Sequence, residues 1–214
     1  MKLFVVDTET TGFLGAEDRN GRKHEVVQFS GILLSQGLVI ERVVNRYCKT
    51  TTLMSEGALN VHKLTDKKID TLSEGKFFER IVEEEGLRDL VDVTWVFYNA
   101  AFDKGIINQT LTQNGYAPLD FGKKANVLSY STEGTWFFDM MYAMQGIVGK
   151  SRKVKLSYAV DQYIGSDVFR QVCAGFKQQH NIVDPLVGDL FHSAIYDSLG
   201  VSLLLSKFKN VLFD

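Results

Sequence analysis

The sequence predicts an α/β domain in which a mixed sheet is flanked by helices. Three observations support this prediction. Strand patterns open the chain at residues 3–6, 25–35 and 38–47, helical patterns then dominate, and two further strand patterns at 91–98 and 135–138 lie between helices. Consecutive strands followed by helices with intervening strands are typical of such mixed architectures.

Length, composition and charge bound the class of protein. The chain has 214 residues, of which 45% are hydrophobic and 23% charged, so we expect one sizeable globular domain over residues 1–214. A net charge of −2 excludes a strongly basic nucleic-acid coat protein. It leaves open a nucleic-acid enzyme whose acidic centre is neutralised locally by metal ions.

The cysteines and the chain start predict a cytoplasmic protein. Cys48 and Cys173 lie far apart and form no C-x-x-C pair, so we expect reduced, structural cysteines and not a disulfide framework or a zinc site. The apolar run near the amino terminus meets acidic residues at once, unlike a signal peptide. No apolar run approaches the ~18 residues that span a membrane, so no membrane partner is expected.

The first strand pattern carries two acidic residues at its end. Residues 3–6 are apolar and partly β-branched, which suits a central strand buried on both faces. Asp7 and Glu9 are two apart and therefore project from the same face. Paired buried carboxylates repel each other unless a cation joins them, and Mg²⁺ or Mn²⁺ prefers oxygen ligands. The alternative is an acidic strand end that faces solvent.

Short polar residues and helical patterns follow. Thr10, Thr11 and Gly12 end the first strand with hydroxyl side chains and a residue able to adopt positive φ. After a loop at 13–23 comes the hairpin of the second and third strands, joined at 36–37. Two short helices are then expected within 55–72, and one helix at 73–90, capped by Ser73. Another helix is expected to follow residues 99–103 and to end at 114–115. The remaining helices are expected at 139–147, 156–164, 168–180 and 193–208. Residues 118–131 and 181–189 are expected to be loops.

Two further acidic residues and a histidine are candidates for the same site. Asp103 follows the strand at 91–98 and opens a helix, the level at which α/β sheets place their sites. A favourable helix dipole alone would also explain it. Asn99 either makes a turn or holds a substrate phosphate or hydroxyl. His192 and Asp197 are about 140° apart on a helix, which predicts His192 on the preceding loop and Asp197 in the first turns. A surface histidine and a solvated aspartate are the alternative.

Taken together, three segments resemble the motifs of one family. They are Val6-Asp7-Thr8-Glu9-Thr10-Thr11-Gly12, Asn99-Ala100-Ala101-Phe102-Asp103 and His192-Ser193-Ala194-Ile195-Tyr196-Asp197. They are similar to those of the DnaQ-like (DEDDh) 3′→5′ exonucleases, which include the proofreading subunit of bacterial replicative polymerase and RNase T. Weaker similarity covers Val61-His62-Lys63-Leu64-Thr65, where the family has glycine at Lys63, and Phe138-Asp139 with Lys155-Leu156. The resemblance extends from residue 1 to about residue 207.

The resemblance implies a fold and a mechanism. The fold is RNase H-like, a five-stranded mixed sheet with helices on both sides, in which the strand after residue 91 lies parallel beside the first. Asp7 would bridge two divalent ions, Mg²⁺ or Mn²⁺. Glu9 and Asp197 would complete the site of one ion, and Asp103 would hold the second ion through water. His192 would act as the general base.

A rival general base is present in the sequence. The sister DEDDy group uses a Y-x-x-x-D string, and residues 163–167 fit it. Gly165 interrupts this string and no long apolar helix follows at once, so His192 is the preferred base over Tyr163.

Several residues are expected to contact the substrate. They are Thr10, Thr11, Gly12, Phe13, His62, Asn99 and Phe102. Phe13 and Phe102 could stack on the terminal base, since aromatic stacking tolerates any sequence, although Phe102 could equally belong to the core. The basic run at 150–155 could follow backbone phosphates, or be a solvated surface.

The sequence therefore predicts a metal-dependent 3′→5′ exonuclease that releases nucleoside 5′-monophosphates from nucleic acid 3′ ends, with single-stranded DNA the expected substrate. One alternative is an exoribonuclease of the same family, because the motifs do not read the sugar. The other is a catalytically inert module that binds nucleic acid or a polymerase. A polymerase or other replication protein is a possible partner.

Overall fold

A computed structural model describes residues 2–129, 133–183 and 191–213. The strands form one sheet: β1 Lys2–Thr10, β2 Val26–Leu34, β3 Ile40–Tyr47, β4 Val93–Phe97, β5 Lys123–Lys124 and β6 Trp136–Asp139. The helices are α1 Glu56–His62, α2 Asp66–Leu72, α3 Phe78–Glu84, α4 Ala100–Gln113, α5 Met140–Val148, α6 Leu156–Tyr163, α7 Ser166–Gln179, α8 Ala194–Lys207 and α9 Lys209–Leu212. A 3₁₀ turn at Leu87–Asp89 follows α3.

The sheet has the strand order β3-β2-β1-β4-β6-β5. The first three strands form an antiparallel meander, whereas β4, β6 and β5 run parallel to β1. The predicted mixed sheet is confirmed, and so is the parallel placement of the strand after residue 91 beside the first strand. This places the end of β1 next to the end of β4.

Helices cover both faces of the sheet because the side chains of β1 alternate. Phe4 and Val6 pack into a core cluster with residues of α3 and α4. Leu3 and Val5 pack on the opposite face, in a cluster with residues of α5, α6, α7 and α8. The central strand is thus buried on both sides, as its apolar run predicts.

The sheet has six strands where five were expected. The additional strand, β5, lies within residues 118–129, which were predicted as loop, and consists of two exposed lysines paired with the outer edge of β6. No apolar alternation marks so short an edge strand, because neither of its side chains is buried. Residues 130–131 of that predicted loop lie outside the described residues.

The prediction of one helix at 73–90 is wrong at its start. Glu74 and Gly75 adopt positive φ, 52° and 75°, so the chain cannot be helical there. Ser73 ends α2 as its C-cap instead of beginning α3, which starts at Phe78.

The other expected elements are present within one or a few residues of their predicted bounds, except where residues 184–189 of the loop predicted at 181–189 lie outside the described part. Cys48 and Cys173 are buried and are not joined by a disulfide. Within the described ranges, no helix combines the length and the apolar character needed to cross a membrane.

Candidate active site

Three carboxylates meet where β1 ends. Asp7 and Glu9 project from the same face of β1, and Asp197 lies in the first turn of α8, which crosses that face. One oxygen from each of the three side chains lies within 4.8 Å of the others. This distance suits oxygen ligands that surround a shared cation.

The electrostatics of the cluster favour a bound cation. Burial raises the pKa of Asp7 well above its usual range, and the nearby charges of Asp103, Asp197 and Glu9 raise it further. Burial, followed by the charges of Asp197 and Asp103, likewise raises the pKa of Glu9. Among the described residues, no lysine or arginine forms an ion pair with Asp7 or Glu9. A divalent cation would relieve this repulsion, so the donor set fits a hard metal ion.

Asp103 stands beside this group but outside its 4.8 Å limit. It lies in the first turn of α4, directly after β4, and is 4% exposed. Burial raises its pKa to about 7, although a hydrogen bond from the Thr8 hydroxyl opposes the shift. Its charge contributes to the raised pKa values of Asp7 and Glu9, so all four predicted carboxylates share one electrostatic site.

The first turn of α8 is fixed to β2 by two buried polar side chains that the sequence analysis missed. Gln28 Oε1 accepts a hydrogen bond from Ala194 N (3.2 Å), and Ser30 Oγ donates to Ala194 O (2.6 Å). In the β1–β2 register Gln28 lies opposite Glu9, and Ser30 lies opposite Asp7. The helix that carries Asp197 is therefore anchored directly beside the strand that carries the other acids. The detectable signal was two polar residues, two apart, inside an otherwise apolar strand.

His192 lies on the turn before α8, as predicted. It is exposed, has a φ of 71°, and its backbone N–H donates to Asp197 Oδ2 at 3.3 Å. A non-glycine residue in the left-handed region is uncommon and is often held there at functional sites. The exposed imidazole is thus attached to the same short segment as Asp197.

The rival base Tyr163 lies away from the carboxylates. Its ring packs edge-on against Phe208, at 4.9 Å between centroids, and Phe208 ends α8. Asp197 is eleven residues earlier on that helix, roughly 16 Å along its axis. Asp167 is exposed and pairs with Arg170 at 3.0 Å. The Y-x-x-x-D string therefore spans the junction between α6 and α7, with its tyrosine packed against the end of α8 and its aspartate on the surface.

A small cavity of about 210 Å³ adjoins the acidic residues. One part of its lining comes from the end of β1 and the residues after it, Thr8, Glu9, Thr10, Gly12 and Phe13, together with Phe102 of α4. The opposite wall comes from one helix, through the α1 residues Gly57, Ala58, Val61 and His62. Phe13 is 74% exposed, whereas Phe102 packs in part against the core, so Phe13 is the more available aromatic surface.

The two threonines at the end of β1 have different surroundings: one lines the cavity and the other is buried in the protein. Thr10 lines the cavity and its hydroxyl donates to Gly12 O at 2.7 Å. Thr11 is fully buried, and its hydroxyl contacts Thr52 Oγ1 and His24 Nδ1 and accepts from Glu25 N. We therefore assign Thr11 a structural role and do not include it among the proposed substrate contacts.

Gly12 is required by close packing and not by backbone conformation. Its φ is not positive, so the freedom of glycine to adopt positive φ is not used here. A Cβ at this position would lie 2.5 Å from the His24 ring, which is buried and in contact with Thr11. A side chain at position 12 would therefore displace that ring.

His62 lines the cavity with both ring nitrogens engaged by backbone groups. Leu64 N donates to Nδ1 at 3.0 Å, so Nε2 carries the proton and donates to Thr10 O at 3.0 Å. His62 thus fastens the end of α1 to the end of β1. Lys63 adopts a φ of 55° as the C-cap of α1, the conformation for which the family has glycine here.

Asn99 is the N-cap residue of α4, without a side-chain capping bond, and is partly exposed. The start of α4 is held by Asp139, whose Oδ2 accepts from Ala100 N at 3.0 Å.

In the basic run at 150–155, Lys150 lies over the ring of Tyr158, with 3.9 Å from Nζ to the ring centroid.

A buried glutamate supports the loop before α1 and was also missed. Glu25 is 1% exposed, and its carboxylate accepts from the backbone N–H and hydroxyl groups of Thr51 and Thr52 and from Asn114 Nδ2. Hydrogen bonds to a buried carboxylate compensate for its lost hydration. Nothing in the sequence distinguishes this glutamate from a surface residue, because its partners lie about 26 and 89 positions away.

The raised pKa values predict that the metal-free protein loses stability as the pH rises. Asp7, Glu9 and Asp103 bind protons more tightly in the folded chain than at the unfolded values of ~4. Between about pH 4 and 7 the folded state therefore holds more protons, and the free energy of unfolding falls by about 1.4 kcal/mol per pH unit for each such proton. Urea unfolding in EDTA across this range measures the slope. It should be smaller in Asp7→Asn, and an unchanged slope would contradict the coupling.

The fold and the site together define the class of protein: an RNase H-like domain with an acidic centre at the ends of two adjacent parallel strands. A family model described as Exonuclease matches residues 4–199, so the chain belongs to this exonuclease family, as its resemblance to the DnaQ-like, DEDDh exonucleases predicts.

Three solved structures illustrate the similarity. The nuclease domain of 3′hExo, a DEDDh family member, bound to rAMP, is 14% identical, with a TM-score of 0.64 over 99% of this chain and 93% of that one. A 3′-exonuclease that recognises the 3′ end of histone mRNA stem-loop is 13% identical (TM-score 0.66; 99% and 64% covered). E. coli Exonuclease I in complex with a dA16 oligonucleotide is 14% identical (TM-score 0.65; 98% and 41% covered).

The chain thus spans less than two thirds of two of these proteins and nearly all of the 3′hExo nuclease domain. At these identities the likeness concerns the fold. A comparison with curated proteins gave no match.

Proposed function

We propose that this protein is a metal-dependent 3′→5′ exonuclease that releases nucleoside 5′-monophosphates from single-stranded nucleic acid, with DNA the favoured substrate. The observation that carries the proposal is the group of three carboxylate oxygens from Asp7, Glu9 and Asp197, mutually within 4.8 Å, with Asp103 beside them. Membership of the exonuclease family supports the reaction class.

The acidic residues would hold the metal. Asp7, Glu9 and Asp197 supply the closely spaced oxygens, and Asp103 is the fourth ligand in our assignment of two Mg²⁺ or Mn²⁺ ions. Bound ions of this kind make water a stronger nucleophile and stabilise the charge that develops on the phosphoryl and leaving oxygens.

The protein supplies the proton acceptor. His192 is exposed, and its backbone N–H donates to Asp197 Oδ2, which keeps this residue beside the carboxylate group. We assign it the role of general base, which requires the neutral ring. The Asp139 bond to Ala100 N and the Gln28 and Ser30 bonds to Ala194 hold the two ligand-bearing helices in place.

The cavity next to Glu9 is our proposed site for the 3′-terminal nucleoside. Its size of about 210 Å³ accommodates one base, and Phe13 and Phe102 offer stacking surfaces at its border. Thr10, the Gly12 backbone and the edge of His62 line it, and Asn99 lies at the start of the helix that carries Asp103. Gly57, Ala58 and Val61 of α1 offer the base no hydrogen-bonding side chain, so we expect no preference for one base at this wall.

A cleavage assay tests the proposal and separates the alternatives. The protein is incubated with 5′-labelled DNA and RNA oligonucleotides, each with Mg²⁺ and with EDTA. We expect a ladder that shortens from the 3′ end on DNA, only with Mg²⁺. A ladder on RNA alone would identify an exoribonuclease. Binding without any ladder would favour the inert module, which the retention of all four carboxylates and His192 argues against.

Single-stranded ends should be degraded faster than paired ends. The cavity accommodates one unpaired base, and unpairing a terminal nucleotide costs a few kcal/mol. We expect a higher initial rate on a labelled single strand than on the same strand in a blunt duplex, measured at equal 3′-end concentration. Equal rates would count against the assignment of the cavity to a single base.

A further inference from the structure

Thr8 makes a specific contact with one of the four acidic residues. Its hydroxyl Oγ1 donates to Asp103 Oδ1 at 2.9 Å, across 95 positions in the sequence. The two side chains are 6% and 4% exposed, so water does not replace this bond easily. It joins β1, which carries Asp7 and Glu9, directly to α4, which carries Asp103.

The position of Thr8 on β1 explains the direction of this contact. Side chains alternate along the strand, so Thr8 follows Phe4 and Val6 on the face covered by α3 and α4, whereas Asp7 and Glu9 project to the other face. An apolar residue such as valine would continue that cluster. The hydroxyl at position 8 instead meets a carboxylate that the start of α4 brings to the end of the strand.

The bond restricts the orientation of the Asp103 carboxylate. With Oδ1 fixed by Thr8, the carboxylate cannot turn freely about its terminal torsion, which is otherwise broad for aspartate. Asp103 also lies outside the tight oxygen group of Asp7, Glu9 and Asp197. A ligand at the border of a metal site depends most on the partner that orients it.

We propose that Thr8 is a positioning residue for Asp103: its hydroxyl holds the carboxylate in the orientation in which it binds metal beside the other three acids. This inference rests on the proposed function. In this assignment Thr8 is not a metal ligand and acts through Asp103. It also lines the cavity proposed for the nucleoside, so Mn²⁺ binding without nucleic acid is the readout that isolates its effect on Asp103. The methyl group of Thr8 fills space, and the hydroxyl carries the effect.

Two substitutions separate the hydroxyl from the packing. Thr8→Val keeps the branched shape and removes the donor, whereas Thr8→Ser keeps the donor and removes the methyl group. We expect Thr8→Val to weaken Mn²⁺ binding, measured by calorimetry, and to lower kcat, by about 10–100-fold, the usual effect of losing such a partner. Thr8→Ser should restore most of both quantities even though its packing is poorer. Thr94→Val is the matched control: it makes the same change at a buried position of β4, opposite Leu3 and so at the other end of β1 from the carboxylates, and it should bind Mn²⁺ normally.

A double substitution tests whether Asp103 transmits the effect. In an Asp103→Ala background, Thr8→Val should cause no further loss of Mn²⁺ affinity, because the group that it orients is gone. Wild-type Mn²⁺ affinity and kcat in Thr8→Val, or an equal loss in Thr8→Ser, would overturn the role of the hydroxyl. If the wild-type protein cleaves no nucleic acid, the proposed function fails, whereas the Mn²⁺ titrations still decide the role of Thr8.

Discussion

Asp7→Asn is expected to lower the rate of nucleic-acid cleavage by at least about 10³-fold. The substitution removes a metal ligand, and bound metal ions stabilise the charge of the transition state by several kcal/mol. Asp7 is the residue whose pKa is raised by all three other acids, so it lies electrostatically at the centre of the group. Initial rates on a 5′-labelled single strand at saturating Mg²⁺ give the size of the effect.

The same substitution should make the metal-free protein more stable. An asparagine is close in shape to aspartate but carries no charge, which relieves repulsion from Glu9, Asp103 and Asp197. We expect a higher Tm in EDTA than for the wild type, together with a smaller rise in Tm on adding Mg²⁺. Asp70→Asn, an exposed position on α2, is the control and should change neither quantity. Appreciable nuclease activity in Asp7→Asn would contradict the assignment of Asp7 as an essential metal ligand.

His192→Ala is expected to lower kcat by about 10²–10⁴-fold, the usual contribution of a general base. Mn²⁺ affinity should stay close to the wild-type value, since the four carboxylates remain. Calorimetry and kcat on one labelled strand measure the two quantities separately.

Tyr163→Phe is the comparison for the histidine variant. The Tyr163 ring packs against Phe208 at the far end of α8 from Asp197, so loss of its hydroxyl should leave kcat within about 2-fold, as for a surface change away from the site. A nearly inactive Tyr163→Phe with an active His192→Ala would mean that the base is misassigned and the chain is of the tyrosine type.

The central features of the fold and the candidate site follow from local sequence patterns. The apolar run before Asp7 predicts a strand buried on both faces, and the spacing of Asp7 and Glu9 predicts that they share a face. The same reasoning about helix angles placed His192 before α8 and Asp197 within its first turn, where the structure has them. These features need only the periodicity of a strand or a helix.

Features that depend on distant contacts were not predicted. β5 is a strand only because Lys123 and Lys124 pair with β6. Thr8 looks like a spacer between two acids until the fold brings Asp103 to its hydroxyl. In both cases the deciding partner has no signature in the local pattern. The late start of α3 is different, because Gly75, a residue that readily adopts positive φ, lies inside the predicted helix.

The hydroxyl of Thr11 and the absence of a side chain at Gly12 were both interpreted locally, as features of a strand end near substrate. The structure shows a buried arrangement in which Thr11 and His24 are in contact and the His24 ring fills the space where a Cβ at position 12 would lie, while Gly12 also lines the cavity. Motif residues can thus be required by packing as well as by chemistry.

Mass spectrometry of the released products tests the central claim most directly. The wild-type protein is incubated with a single-stranded oligonucleotide that has a free 3′ hydroxyl, with Mg²⁺ and with EDTA, and Asp7→Asn serves as the matched blank. We predict nucleoside 5′-monophosphates released in order from the 3′ end, with Mg²⁺ only and from the wild type only. Internal fragments, nucleoside 3′-monophosphates, or equal release in EDTA would contradict the assignment of this site to metal-dependent 3′→5′ exonuclease chemistry.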